Sequence, residues 1–122
     1  MAGADKLTAI GWPLILSLIS GFGMAVSGKP LEASFSILHK LSAVACLVFI
    51  VLRLATAIRL FESRPLILTF AGIFILAFLA ACVTGAIQST PSQASALWLN
   101  LHRASWIIAL IASGVVWRLM SA

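Results

Sequence analysis

The chain is written as long apolar runs separated by short polar breaks. Four runs stand out, at residues 10–26, 35–60, 66–87 and 97–120. At about 1.5 Å of helix per residue, runs of this length approach or exceed the hydrocarbon thickness of a bilayer. The few charges inside them sit toward run ends, as Arg53, Arg59 and Arg118 do, where a long side chain can snorkel to the interface. The breaks Gly28-Lys29-Pro30, Ser63-Arg64-Pro65 and Ser89-Thr90-Pro91-Ser92 carry turn chemistry. Connections this short make sequence neighbours antiparallel neighbours in space. The pattern predicts an all-α integral-membrane four-helix bundle, with residues 1–122 as a single transmembrane domain.

Composition sharpens the class. Of 122 residues 62% are hydrophobic and 9% charged, with mean hydropathy +1.16. A soluble domain of this size has no use for so much apolar surface. The first run could imitate a signal peptide, with Ala25-Val26-Ser27 as a cleavage-like tail. Residues 1–6 are short for the region that precedes such a peptide, and the run has the length of a span, so it is read as the first helix. The net charge of +5 calls for no nucleic-acid partner, because the basic residues gather at helix ends. Lys6, Arg53, Arg59, Arg64 and Arg118 fall on one side and Lys29, Lys40 and Arg103 on the other, five against three. The positive-inside rule then puts both termini in the cytoplasm, and a bacterial inner membrane is the expected location. Trp12 and Trp117 suit one interfacial belt and Trp98 the other. Asp5, Glu32 and Glu62 lie at ends or loops, which argues against a proton-coupled transporter. The sequence holds no Ser/His/Asp arrangement, phosphate loop or nucleic-acid motif, and there is no room beside four helices for a soluble catalytic module.

The chemistry concentrates on two histidines in matching words, Leu38-His39-Lys40-Leu41-Ser42-Ala43 and Leu101-His102-Arg103-Ala104-Ser105-Trp106. Each opens a long apolar run, and one antiparallel helix separates the two runs, so their helices are expected to be parallel. Both histidines then lie about one to two turns below the same surface. Imidazoles at equal depth on parallel helices of a bundle can clamp a haem iron from both sides. His39 and His102 are the expected axial and metal ligands of one b-type haem. Small residues near the same end (Gly21, Gly23 and Ala25 on the first helix; Ala80, Ala81, Thr84 and Gly85 on the third) suit a lining without bulk, as do Ser42, Ala43 and Cys46 after His39. Lys40 and Arg103 are candidates to meet the haem propionates, with Lys29 as a loop candidate; the plainer reading has these cations facing lipid phosphates. Trp106, one turn past His102, either packs on a porphyrin edge or quinone ring or fills the bundle. Cys46 and Cys82 read most simply as small core residues, with no disulfide implied. A zinc site would need both cysteines and both histidines to converge.

The repeat runs past the histidines. Ala25-Val26-Ser27-Gly28 resembles Cys82-Val83-Thr84-Gly85, so the chain reads as two similar helical hairpins in tandem, residues 7–60 and 66–120. Two parallel copies related by an axis along the membrane normal put a shared site at the centre.

A family resemblance enters through these words. Ser36-Ile37-Leu38-His39-Lys40-Leu41-Ser42 resembles the Ser-x-x-His-Arg-x-Ser word of succinate dehydrogenase cytochrome b subunits. The whole-chain plan of four short-looped helices with histidine ligands resembles the small membrane-bound cytochromes of the b561 type. The first resemblance implies that Ser36 and Lys40 contribute to a quinone site. Departures are plain: Lys40 stands where arginine is usual, the dehydrogenase anchors usually have three helices, and the b561 type usually carries four histidines for two haems.

Two functions follow as expectations. One is an electron-transfer cytochrome, not catalytic on its own, moving electrons through one bis-histidine haem between a quinone pool and another redox subunit. The other is a cofactor-free accessory or scaffold subunit of a larger membrane complex, its histidines interfacial.

Overall fold

The computed structural model describes residues 2–27, 33–90 and 92–121, the side chains of residues 2–10, Ala33, Leu54, Ala57 and Ser121 excepted. Lys29 and the Gly28-Lys29-Pro30 and Pro91 breaks therefore lie outside the described residues, as does the side chain of Lys6. The order is α1 (Ala2–Ser27), α2 (Ala33–Phe61), α3 (Pro65–Ser89) and α4 (Ala96–Ser121), with no strand among the described residues. The apolar runs thus mark the helices to within a few residues. The exception is the start of α1, which begins at Ala2 rather than residue 10 and so encloses Pro13.

The connections are built from the residues that signal them. The Arg64 N–H donates to the Phe61 carbonyl at 2.8 Å, and Pro65 then opens α3 at a position that needs no N–H. After α3 the Thr90 N–H closes back on the Ile87 carbonyl at 3.0 Å. The Thr90 carbonyl accepts from Gln93 and Ala94 at 2.9 and 3.0 Å. Ser95 caps α4, its Oγ accepting from the Trp98 N–H at 3.4 Å.

The chain forms two compact units, Met1–Ala57 and Ile58–Ala122, with the boundary inside α2. In the first unit α1 buries Pro13, Ser17 and Ser20, and α2 buries Ser42, Cys46 and Ile50. Both sets have helical spacing. Phe35 stands against Gly23 and His39 against Gly21, so the two helices run antiparallel. In the second unit α3 buries Ile67, Ala77, Phe78, Ala81 and Thr84, and α4 buries Ala109 and Ala112. His102 stands against Gly85, Trp106 against Phe78, and Leu119 lines a groove with Ile67, which makes this pair antiparallel as well. Alanine, serine and threonine at buried positions let helix backbones approach without large side chains, as membrane helices do.

The outward faces are as apolar as the inside. Phe22, Leu76 and Trp117 are exposed, with Leu76 at 70%. Segments Ser34–Arg53, Pro65–Ser89 and Ala96–Met120 are long and apolar enough to cross a bilayer, and Gly11–Ser27 is a shorter apolar segment. The protein is an all-α membrane protein, and among the described residues three helices meet both criteria of a span.

Candidate functional site

Each histidine is held by the helix before it in sequence. His39 projects from α2 onto α1, where its Nδ1 lies 2.7 Å from the Ser17 carbonyl oxygen. His102 projects from α4 onto α3, where its Nδ1 lies 2.8 Å from the Ala81 carbonyl oxygen. A carbonyl only accepts, so in both cases Nδ1 carries the proton and donates it.

The match extends to the surroundings. The Ser17 carbonyl also accepts from the Ser20 hydroxyl at 3.2 Å, while that hydroxyl bonds the Leu16 carbonyl at 2.6 Å. The Ala81 carbonyl likewise accepts from the Thr84 hydroxyl at 3.2 Å, with the Ala80 carbonyl at 2.7 Å. A second oxygen approaches each Nδ1, Ser17 Oγ at 3.4 Å from His39 and Thr84 Oγ1 at 3.3 Å from His102. One turn beyond each histidine, the Ser42 and Ser105 hydroxyls return to the Leu38 and Leu101 carbonyls at 2.7 and 2.8 Å. Cys46 and Ala109, one turn further, are both buried.

A side chain in a helix covers the turn before its own Cα, so the residue four places after a carbonyl decides whether that carbonyl can be reached. Those residues are Gly21 and Gly85. A Cβ on Gly21 would stand 3.0 Å from His39 Cε1 and 3.2 Å from its Nδ1, and a Cβ on Gly85 would stand at the same distances from His102. The glycines expected to line a cofactor make room for the imidazoles. Gly23 does the same for Phe35, whose ring carbons would lie 2.9–3.1 Å from a Cβ there.

These contacts reset the internal repeat. Gly85 corresponds to Gly21, not to Gly28 as the Ala25-Val26-Ser27-Gly28 word suggests. Ser17, Ser20 and Gly21 match Ala81, Thr84 and Gly85 at an offset of 64, and His39 matches His102 at 63. The sequence reading passed over Ser17 and Ser20. The signal was present as Ser17-Leu18-Ile19-Ser20-Gly21 beside Ala81-Cys82-Val83-Thr84-Gly85, a small residue, then a hydroxyl and glycine three and four places on.

The other expected site residues are placed as follows. Ser36 is half-buried on α2, one turn before His39, and Lys40 is exposed. Arg103 is exposed on α4. His39 belongs to the first unit and His102 to the second. Trp106 meets Phe78 edge-on, with centroids 5.6 Å apart and planes at 81°, which makes it a packing residue of the second unit. Cys46 is buried and Cys82 half-buried. Among the described residues no three His, Cys, Asp or Glu side chains group around a metal position.

What the fold and these contacts define is a helical membrane protein whose two hairpins each hold one imidazole against a main-chain carbonyl. Comparison with protein-family models, with curated proteins and with solved structures found no match.

Proposed function

We propose that the protein is a membrane b-type cytochrome, in which the four helices form one bundle and the Nε2 atoms of His39 and His102 ligate the iron of a single haem. The observation that carries this reading is the pair of Nδ1–H donations to the Ser17 and Ala81 carbonyls. Metal-ligating histidines almost always donate their other ring N–H to a carbonyl, a carboxylate or water, which fixes the ring and leaves the second nitrogen as the ligand. A histidine that merely reaches for headgroups has no need of a neighbouring helix carbonyl, still less of a glycine that exposes it. The donor set suits haem iron: two imidazoles, one from each hairpin.

Haem, when bound, supplies a one-electron couple, and the helices supply its position in the membrane. Lys40 and Arg103, each next to a ligand, are the cations suited to propionates. Electrons are exchanged with another subunit and with a lipid-phase carrier, for which quinone is the natural class. Ser36 and Lys40, four apart on one helix face, offer a hydroxyl and a cation to a quinone carbonyl. On this reading the bundle spans a bacterial inner membrane with both termini in the cytoplasm.

The deciding measurement is the visible spectrum of the purified protein before and after dithionite. A low-spin bis-imidazole spectrum is expected, and it should be lost or converted in both His39→Ala and His102→Ala. A colourless preparation after growth with ample haem precursor would favour the cofactor-free accessory bundle. Retention of the spectrum in both variants would remove these residues as ligands.

A further inference from the structure

Each histidine ring lies against a glycine of the neighbouring helix. We propose that Gly21 and Gly85 are positioning residues: by lacking a side chain they open the Ser17 and Ala81 carbonyls to His39 and His102, and so hold both rings as the Nδ1–H form with Nε2 as the donor nitrogen. This deepens the cytochrome reading and rests on it only for the consequence at the iron.

Two hairpins carry the argument independently. In each, the ring nitrogen reaches a carbonyl at 2.7 or 2.8 Å. In each, the glycine four residues later is the one whose Cβ would stand 3.0 Å from ring Cε1 and 3.2 Å from Nδ1. Ordinary carbon contacts begin near about 3.5 Å, so an alanine there must push the ring away by several tenths of an ångström. A hydrogen bond weakens steeply with such displacement and misalignment. The displaced imidazole then loses its reason to keep the proton on Nδ1. Glycine inside a helix otherwise costs about 0.5–1 kcal/mol relative to alanine. Gly11, Gly72 and Gly114 show the contrast, since a Cβ on any of them would meet nothing within 4 Å. They are the internal standard: same helices, same substitution, no imidazole.

The consequence at the iron has a definite sign. An Nδ1–H that donates to a carbonyl gives the ring partial imidazolate character and strengthens Nε2 as a donor. Stronger donation favours the ferric state. Losing the carbonyl bond therefore raises the midpoint potential.

The test uses the full chain in detergent micelles with ¹⁵N-labelled histidine, prepared without haem. In the unsubstituted protein both rings should show a protonated Nδ1 and an unprotonated Nε2. Gly21→Ala should abolish that pattern at His39 alone and Gly85→Ala at His102 alone, while Gly72→Ala leaves both intact. Nε2–H rings in the unsubstituted protein would overturn the proposal without any variant, which covers the case in which an alanine variant fails to fold. Unchanged Nδ1–H rings in both Gly21→Ala and Gly85→Ala would overturn it equally. In the haem-loaded protein the midpoint potential should rise in both variants and stay put in Gly72→Ala. If no haem binds, the cytochrome reading fails, and the ¹⁵N spectra still decide the role of the glycines.

Discussion

Replacing Phe78 with alanine should cost the second unit about 2 kcal/mol, and the figure can be built from its surroundings. Phe78 is fully buried on α3, with Trp106 of α4 edge-on at 5.6 Å and Phe74 tilted at 6.0 Å. In a water-soluble core Phe→Ala costs about 3–5 kcal/mol, part of it the transfer of the ring out of water. In a bilayer that transfer part is largely missing, because lipid chains are as apolar as the protein interior. What remains is the dispersion lost around the void and about 0.5–1.5 kcal/mol for the aromatic pair. Reversible unfolding in mixed micelles reads the change directly. Leu76→Ala, at a position 70% exposed, is the paired control and should change stability by less than about 0.5 kcal/mol. Trp106→Ala closes a double-mutant cycle in which the pair should couple by about 1 kcal/mol. Equal small losses from Phe78→Ala and Leu76→Ala would refute the reasoning, since they would mean that α3 does not face α4 through Phe78.

Further outcomes follow from the same geometry. Ala109→Leu should destabilise the α3–α4 pair by about 1–3 kcal/mol through overpacking at a position only 1% exposed, again read by unfolding in micelles. Any haem should be extracted by acidified acetone, since the chain has no Cys-x-x-Cys-His word for covalent attachment; pigment left on the protein would contradict a b-type centre. Fusion reporters at residues 92–95 should report a non-cytoplasmic loop, and a cytoplasmic signal there would reverse the sidedness read from the arginines and lysines. Reduced protein mixed rapidly with a soluble quinone analogue should be oxidised, more slowly in Ser36→Ala and Lys40→Ala. Unchanged rates in both variants would remove these two residues from the quinone site.

Element positions were legible because a membrane simplifies the code. Where every backbone group must be satisfied inside the element, a long apolar run has little choice but helix. The ends of α2, α3 and α4 fall within two residues of the expected limits for the same reason. The start of α1 was not legible because residues 2–9 are not an apolar run. The matched histidines were legible from their words alone. What holds them was not, because the partner is a main-chain carbonyl, which no residue identity announces. The contacts of Gly21 and Gly85 with the imidazoles were not legible either, since the meaning of a glycine depends on what crosses it. The repeat slipped by seven residues for a related reason: Ala-Val-Ser-Gly at 25–28 resembles Cys-Val-Thr-Gly at 82–85 letter by letter, while Leu-Ile-Ser-Gly at 18–21 matches it by contact.

The offsets of 63 and 64 carry one more step of argument. Between the carbonyl-bearing helix and the histidine, the first hairpin has one residue more than the second, 22 from Ser17 to His39 against 21 from Ala81 to His102. The extra residue falls between Gly21 and His39, a stretch that contains the α1–α2 connection. The imidazole is nevertheless delivered to the same carbonyl, under the same glycine, with the same hydroxyl three residues on. The side chains around it differ freely: Ala43 stands where the second hairpin has Trp106, and Ser17 where it has Ala81. A feature kept while connection length and packing vary is set by something other than packing. Many donors or acceptors could satisfy an imidazole nitrogen in a membrane. Taking a carbonyl through Nδ1 both times puts the two rings in matching places on their hairpins, each beside a glycine that leaves the carbonyl open.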